Sequence, residues 1–274
     1  MDSATTFGQT FTLTFGDQAE NDVRMQKLGK MADEGFSLND LSTAKRWFEL
    51  QGCACELYHL NKLYDGEAQD AYVLVVRRGV DPLLGEERGG GYTSDDLYAE
   101  QDALEKDTKV FRYGKVMNKK ARYNLCFSPT SQEPDYEHGK GRVIAFSDVP
   151  LLDCVRQNLH IVIGEKAKDL MVEANYYYDV AKCYIGYHGD AERRKVIGVR
   201  LGESFKFHYQ WYLRSKPVGK RLELTLNHGD LYIMSEKAVG TDWKKKVMPT
   251  LRHAAGSAKI LKLDKDDVVV TTLN

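Results

Sequence analysis

Two residues of this chain are spaced for metal chemistry: His188 and Asp190, in the run ANYYYDVAKCYIGYHGDAERRKVIGVRLG from Ala174 to Gly202. On a strand or strand end, residues i and i+2 share a face, so an imidazole nitrogen and a carboxylate oxygen can reach one ion. With one later histidine they would form a 2-His-1-carboxylate facial triad, which holds Fe(II) on one face and leaves the opposite face open for a co-substrate and oxygen. The bland alternative is a surface turn, because Gly189 and Asp190 are also turn residues.

The third ligand must be sought among the chain's seven histidines. His59, His138 and His160 lie outside the β-rich half and read as surface or packing residues, and His208 reads as a satisfied strand histidine. His228 precedes Gly229 and Asp230, so HGD occurs twice, but the second copy falls between two apolar strands, where a hairpin turn is the natural reading. His253 is followed by Ala254, Ala255 and Gly256, small residues that let a metal and its ligands approach closely. His188, Asp190 and His253 are therefore the candidate metal-binding and catalytic set.

These residues need elements to hold them. From Asn175 onward the chain reads as short β segments separated by turns: AKCYIGY, KVIGVRL, SFKFHYQWYL, RLELTL and DLYIMS, a spacing that predicts a sandwich or barrel of the jelly-roll kind. Ile260 to Leu263 and Val268 to Thr272 are expected to close it, and Ser235 to Met248 reads as a charged loop. Upstream, Thr10 to Phe15 alternates as a strand, a polar stretch with Met25 and Met31 predicts a short helix, and Asn39 to Gln51 carries helix start and stop signals. Cys53 to Leu60 and Ala71 to Arg77 predict strands, a helix is expected from Ser94, and Val149 to Gly164 has the period of a helix packed on a sheet.

Composition sets limits. At 274 residues with 42% hydrophobic content the chain can bury a sizeable core, and a net charge of −1 confines any nucleic-acid footprint to a local patch. The five scattered cysteines argue for a reducing compartment. Neither a signal peptide nor a membrane span is legible, so an intracellular, non-secretory location is expected. The glycines at 89 to 91 lack a GK[ST] and a strand-helix context, which argues against a P-loop. Val110 to Phe127 is a basic stripe interleaved with aromatics, which can hold phosphates and stack bases or can be an exposed hairpin with a half-buried aromatic face.

The run NYYYDVAKCYIGYHGDAERRKVIGVRLG, then LELTLNHGDLYIMS, then TLRHAAG, resembles the AlkB family of Fe(II)/2-oxoglutarate dioxygenases over roughly residues 110 to 263. The matching places are Asn175 and Tyr177, His188 and Asp190 with Glu192, Leu201 and Gly202, Gly229 and Asp230, and His253. The resemblance implies an α+β chain: a double-stranded β-helix (jelly roll) core from 108 to 274 with flanking helices and a lid at about 110–142, preceded by an N-terminal α/β extension over 1–107 of unknown role. It implies Fe(II) on His188, Asp190 and His253, 2-oxoglutarate hydrogen-bonded by Asn175 and Tyr177, and O2 as the oxidant. Oxidative decarboxylation would drive hydroxylation of a C–H bond, commonly an N-methyl group on a base, lost as formaldehyde.

The family's terminal R-x-N-x-T-x-R is missing after His253, and a buried co-substrate carboxylate still needs a cation. Lys262 is the first expectation and Lys259 the second, with Arg122 a lid residue first and a displaced carboxylate binder second. For substrate, Lys115, Lys120, Arg122, Tyr123, Phe127, Glu192 and Arg194 are expected to hold a methylated base in DNA or RNA, flipped or single-stranded. The alternatives are a protein or small-molecule hydroxylase on the same centre, and a non-catalytic β-sandwich that binds a partner.

Overall fold

The computed structural model describes residues 7–257, 261 and 268–273. The chain starts with β1 (Thr10–Gly16), the hairpin β2 (Gln18–Glu20) and β3 (Lys27–Gly29), α1 (Leu38–Leu50), β4 (Cys55–His59) and β5 (Tyr72–Val76). Short helices α2 (Asp81–Leu84) and α3 (Glu86–Gly89) lead to α4 (Ser94–Asp102), the hairpin β6 (Lys109–Arg112) and β7 (Lys115–Asn118), β8 (Tyr123–Ser128), β9 (Val143–Ala145) and α5 (Pro150–Ile163). Then come β10 (Met171–Tyr177), β11 (Ile185–His188), β12 (Val196–Gly202), β13 (Phe205–Leu213), β14 (Lys216–Leu226), β15 (Leu231–Met234), α6 (Glu236–Val239), β16 (Thr250–Ala255) and β17 (Val269–Val270).

The fold is mixed α+β and rich in sheet. An eight-stranded sheet runs β4-β5-β15-β12-β1-β10-β8-β9 and a five-stranded sheet runs β11-β16-β13-β14-β17. Strand alternation sends one face of the large sheet to each of two cores. Phe11, Leu13 and Phe15 of β1 and Ile197, Val199 and Leu201 of β12 pack with Phe48 of α1 and Leu152, Val155 and Leu159 of α5. Tyr177, Val196 and Tyr232, on the opposite face, pack against Phe207, Tyr209 and Leu224 of the second sheet. Helix α5 has Pro150 in its first turn, where the missing N–H costs nothing, and α1 begins with a reciprocal capping box between Ser37 and Asp40.

Several expectations change. The stretch holding Met25 is the β2–β3 hairpin rather than a helix, and the charged loop after Ser235 contains α6. The boundary at 107 does not separate two units. Strand β1 lies between β10 and β12 and is antiparallel to both, with Thr12 opposite Asn175 on one side and Arg200 on the other. Three large β1 side chains are fully buried there, and each contributes about 1.5–3 kcal/mol, so a chain cut at 108 would lose a central strand of its core. The expected strand at Ile260 to Leu263 falls on positions of which all but 261 lie outside the described residues. Among the described residues no helix is long and apolar enough to cross a membrane.

Candidate metal centre

The site forms where β11 meets β16. The two strands pair with His188 directly opposite His253, and a register irregularity between Ile185 and His188 marks the end of β11. The rings lie 4.5 Å apart, centroid to centroid. The chain then turns through Gly189, where a Cβ would fall 2.1 Å from the Gly240 carbonyl oxygen, so only glycine permits this approach. The next residue, Asp190, donates its backbone N–H to Val239 at 3.0 Å. Its Oδ1 stands 3.3 Å from His188 Nε2 and 3.5 Å from His253 Nε2. All three ligand atoms lie within 4.8 Å of one another.

The protonation states suit a cation. The Nδ1 of His188 lies 2.8 Å from the Gly186 carbonyl oxygen, which requires Nδ1–H and leaves the Nε2 lone pair facing the centre. Burial, and then the neighbouring His188, lower the pKa of His253 and keep it neutral. Burial alone would raise Asp190, but the Arg193 guanidinium, with the two imidazoles beside it, outweighs burial and holds the carboxyl well below its ordinary range. Two imidazoles and an ionised carboxylate are a borderline-to-hard donor set suited to Fe(II) and its first-row neighbours. Cis ligands at about 2.1 Å from a metal are about 3.0 Å apart, so the two carboxylate–imidazole spacings of 3.3 and 3.5 Å need only a slight contraction. The residues fit the ion.

Arg193, buried behind the site, aligns Asp190. Its Nη2 donates to Glu173 at 2.6 Å and to Glu192 at 2.9 Å, and its Nε is 3.7 Å from Asp190 Oδ2. The sequence signal for this arginine was its position three residues after the aspartate.

A cavity of about 780 Å³ opens from the three ligands. Asn175 and Tyr177 both line it, on the face of β10 that points away from the helices. The Asn175 amide is occupied: Oδ1 accepts from Arg122 Nε at 2.5 Å and from Asn124 at 2.9 Å, and Nδ2 donates to Glu173 at 3.0 Å. Arg122 and Glu192 also line the cavity. The other substrate residues lie elsewhere. Phe127 is 0% exposed in the core beneath the helices and cannot stack a base, because its position on β8 sends it to the apolar face. Tyr123 is stacked on Tyr178 at 4.7 Å, Lys115 and Lys120 are exposed away from the cavity lining, and Arg194 pairs with Glu236 at 2.8 Å outside it. Lys259 and Lys262 lie outside the described residues.

Among the lining residues that sequence reading missed are Thr12, from the start of the chain, and Arg200. The signal for Arg200 was a lone arginine inside the apolar strand KVIGVRLG.

No family model matches the chain. It is 50% identical over 258 residues to "Uncharacterized protein R156" of Acanthamoeba polyphaga mimivirus, which covers 93% of this chain and 98% of the viral protein. The chain belongs to that protein's family.

Proposed function

We propose that the protein is an Fe(II)- and 2-oxoglutarate-dependent dioxygenase of the AlkB type that oxidises a methylated base in nucleic acid. The observation that carries this reading is the convergence of His188, Asp190 and His253, from a strand end, a turn and a distant strand, in the lining of one cavity. Strand order supports a jelly-roll core: after β10 the chain passes to the small sheet at β11, back at β12, across for β13 and β14, back at β15 and across at β16. In that arrangement β1 takes the place beside β10 and β12 where a closing strand belongs.

In this reading His188, Asp190 and His253 hold the metal, which when bound supplies oxidative decarboxylation of 2-oxoglutarate. Arg193 keeps Asp190 ionised and oriented, the Gly186 carbonyl fixes the His188 tautomer, and apolar walls such as Phe207 and Met234 exclude water. The β6–β7 hairpin supplies the nucleic-acid surface: Tyr113 at its turn is 89% exposed, Lys109 and Lys115 flank it, and Arg112 reaches the cavity lining.

One observation favours a second substrate class. Glu20, Asp22, Glu173 and Glu192 line the cavity beyond the metal, and burial together with Glu192 pushes Glu20 up to about 7. Such a wall suits a cationic group, whether an N-methylated base carrying a charge or the amine side chain of a protein. Anaerobic addition of Fe(II) and then 2-oxoglutarate tests the oxygenase reading: a visible charge-transfer band is expected, absent in His188→Ala. Its absence in the native protein would leave the binding-module alternative. Succinate formation stimulated by a methylated oligonucleotide rather than by lysine-rich peptides then decides the substrate.

A further inference from the structure

Arg200, on the large sheet's inner face, is a fully buried arginine whose main donor edge is idle among the described residues. It is 0% exposed, and its Nε and Nη2 have no hydrogen-bond partner; Nη1 reaches only the Phe11 carbonyl, at 3.5 Å. The guanidinium lies 5.7 Å from the Tyr177 ring and 5.2 Å from the Phe205 ring, measured to the centroids. A buried cation without a partner is costly, and a fold retains one where a ligand supplies the counter-charge.

Its position says which ligand. Arg200 lies opposite Thr12, which lies opposite Asn175, so three polar side chains of adjacent strands form one row that faces the cavity of the metal triad. Nε and Nη2 share one edge of the guanidinium and present two parallel N–H groups, the spacing that matches the two oxygens of a carboxylate. The second cation in the row, Arg122, is half-buried and already donates to Asn175. We propose that Arg200 binds the remote carboxylate of an organic acid whose 2-oxo-acid end sits on the metal, and thereby selects a diacid over a mono-acid. This rests on the metal-centre reading and replaces Lys262 and Lys259 with a residue on a different strand, upstream of His253.

The test uses the full chain loaded with Mn(II), with calorimetric titration of 2-oxoglutarate, its non-reacting analogue N-oxalylglycine, and pyruvate, which lacks the second carboxylate. The native protein is expected to prefer 2-oxoglutarate to pyruvate by about 30-fold or more. Arg200→Met is expected to lose that preference, keep its Mn(II) affinity, and melt no lower than the native protein without ligand, because a buried unpaired charge has been removed. Arg200→Lys should fall between the two. A purely structural arginine would instead lower the ligand-free melting temperature and leave the diacid preference intact. If Arg200→Met binds Mn(II) and 2-oxoglutarate as the native chain does, Arg200 is not the carboxylate site and the metal reading stands. If the native protein binds Mn(II) but shows no preference for the diacid, the carboxylate site and the 2-oxoglutarate reading both fall, while the metal centre stands. The native preference needs no variant, so a misfolded Arg200→Met does not remove the test.

Discussion

The tripeptide His-Gly-Asp occurs twice, and the two copies do opposite work. In the first, Asp190 faces two imidazoles and a guanidinium, and its geometry is open to an ion. In the second, Asp230 is consumed: it accepts from Arg77 Nη1 at 2.7 Å, the Arg78 N–H at 3.0 Å and the Asn227 N–H at 2.9 Å. His228 is likewise committed, with Nδ1 accepting the Gly202 N–H at 2.8 Å. Even the glycines differ. Gly189 is required by the approach of Gly240, whereas Gly229 is required by its own φ of +80°. A metal-ligand motif is thus defined by what lies across from it, and only the first copy has a histidine on the facing strand.

The largest expected contrast is in metal affinity. His188→Ala should weaken Mn(II) or Fe(II) binding at least about 100-fold in a calorimetric titration, beyond what loss of an outer-shell partner causes, while His228→Ala leaves it unchanged. Stability should reverse the order. Asp230→Asn removes a buried partner from Arg77 and should cost about 2–3 kcal/mol in urea unfolding, and Asp190→Asn should cost less, because Arg193 keeps Glu173 and Glu192. Smaller again, Gly229→Ala should cost about 1–2 kcal/mol by forcing a Cβ into a left-handed conformation.

The least effect concerns pH. Burial lowers the His228 pKa from 6.5, outweighing the attraction of Asp95 and reinforced by Arg78. The unfolded chain therefore takes up a proton before the folded one does, and this histidine's contribution is present above about pH 6.5 and is lost as pH falls. His228→Asn keeps an acceptor that does not titrate. Melting temperature should then drop less between pH 7.5 and 5.5 than in the native chain; an equal drop would mean that His228 carries no proton linkage.

Much of the local structure was legible because it follows from short-range rules. The alternation of Thr10 to Phe15, the caps and period of α1 and α5, and the apolar run of β5 are visible in any window of the chain. The Met25 hairpin was not, since its two strands are three residues each and polar. Phe127 was misassigned for a related reason: a basic and aromatic stretch does not reveal which alternate residues face the core until the strand is placed in its sheet.

The sequence by itself determined that His188 and Asp190 share one strand end, that His253 is followed by small residues, and that Arg200 interrupts an apolar strand. Only the tertiary structure decided that β16 lies against β11, that β1 enters between β10 and β12, and that Arg200, Thr12 and Asn175 form one row over one cavity. The reason is physical. Strand propensity and hydrophobic period act over a few residues, whereas the partner and register of a strand are set by burying both faces of a sheet at once, against segments far away in the chain.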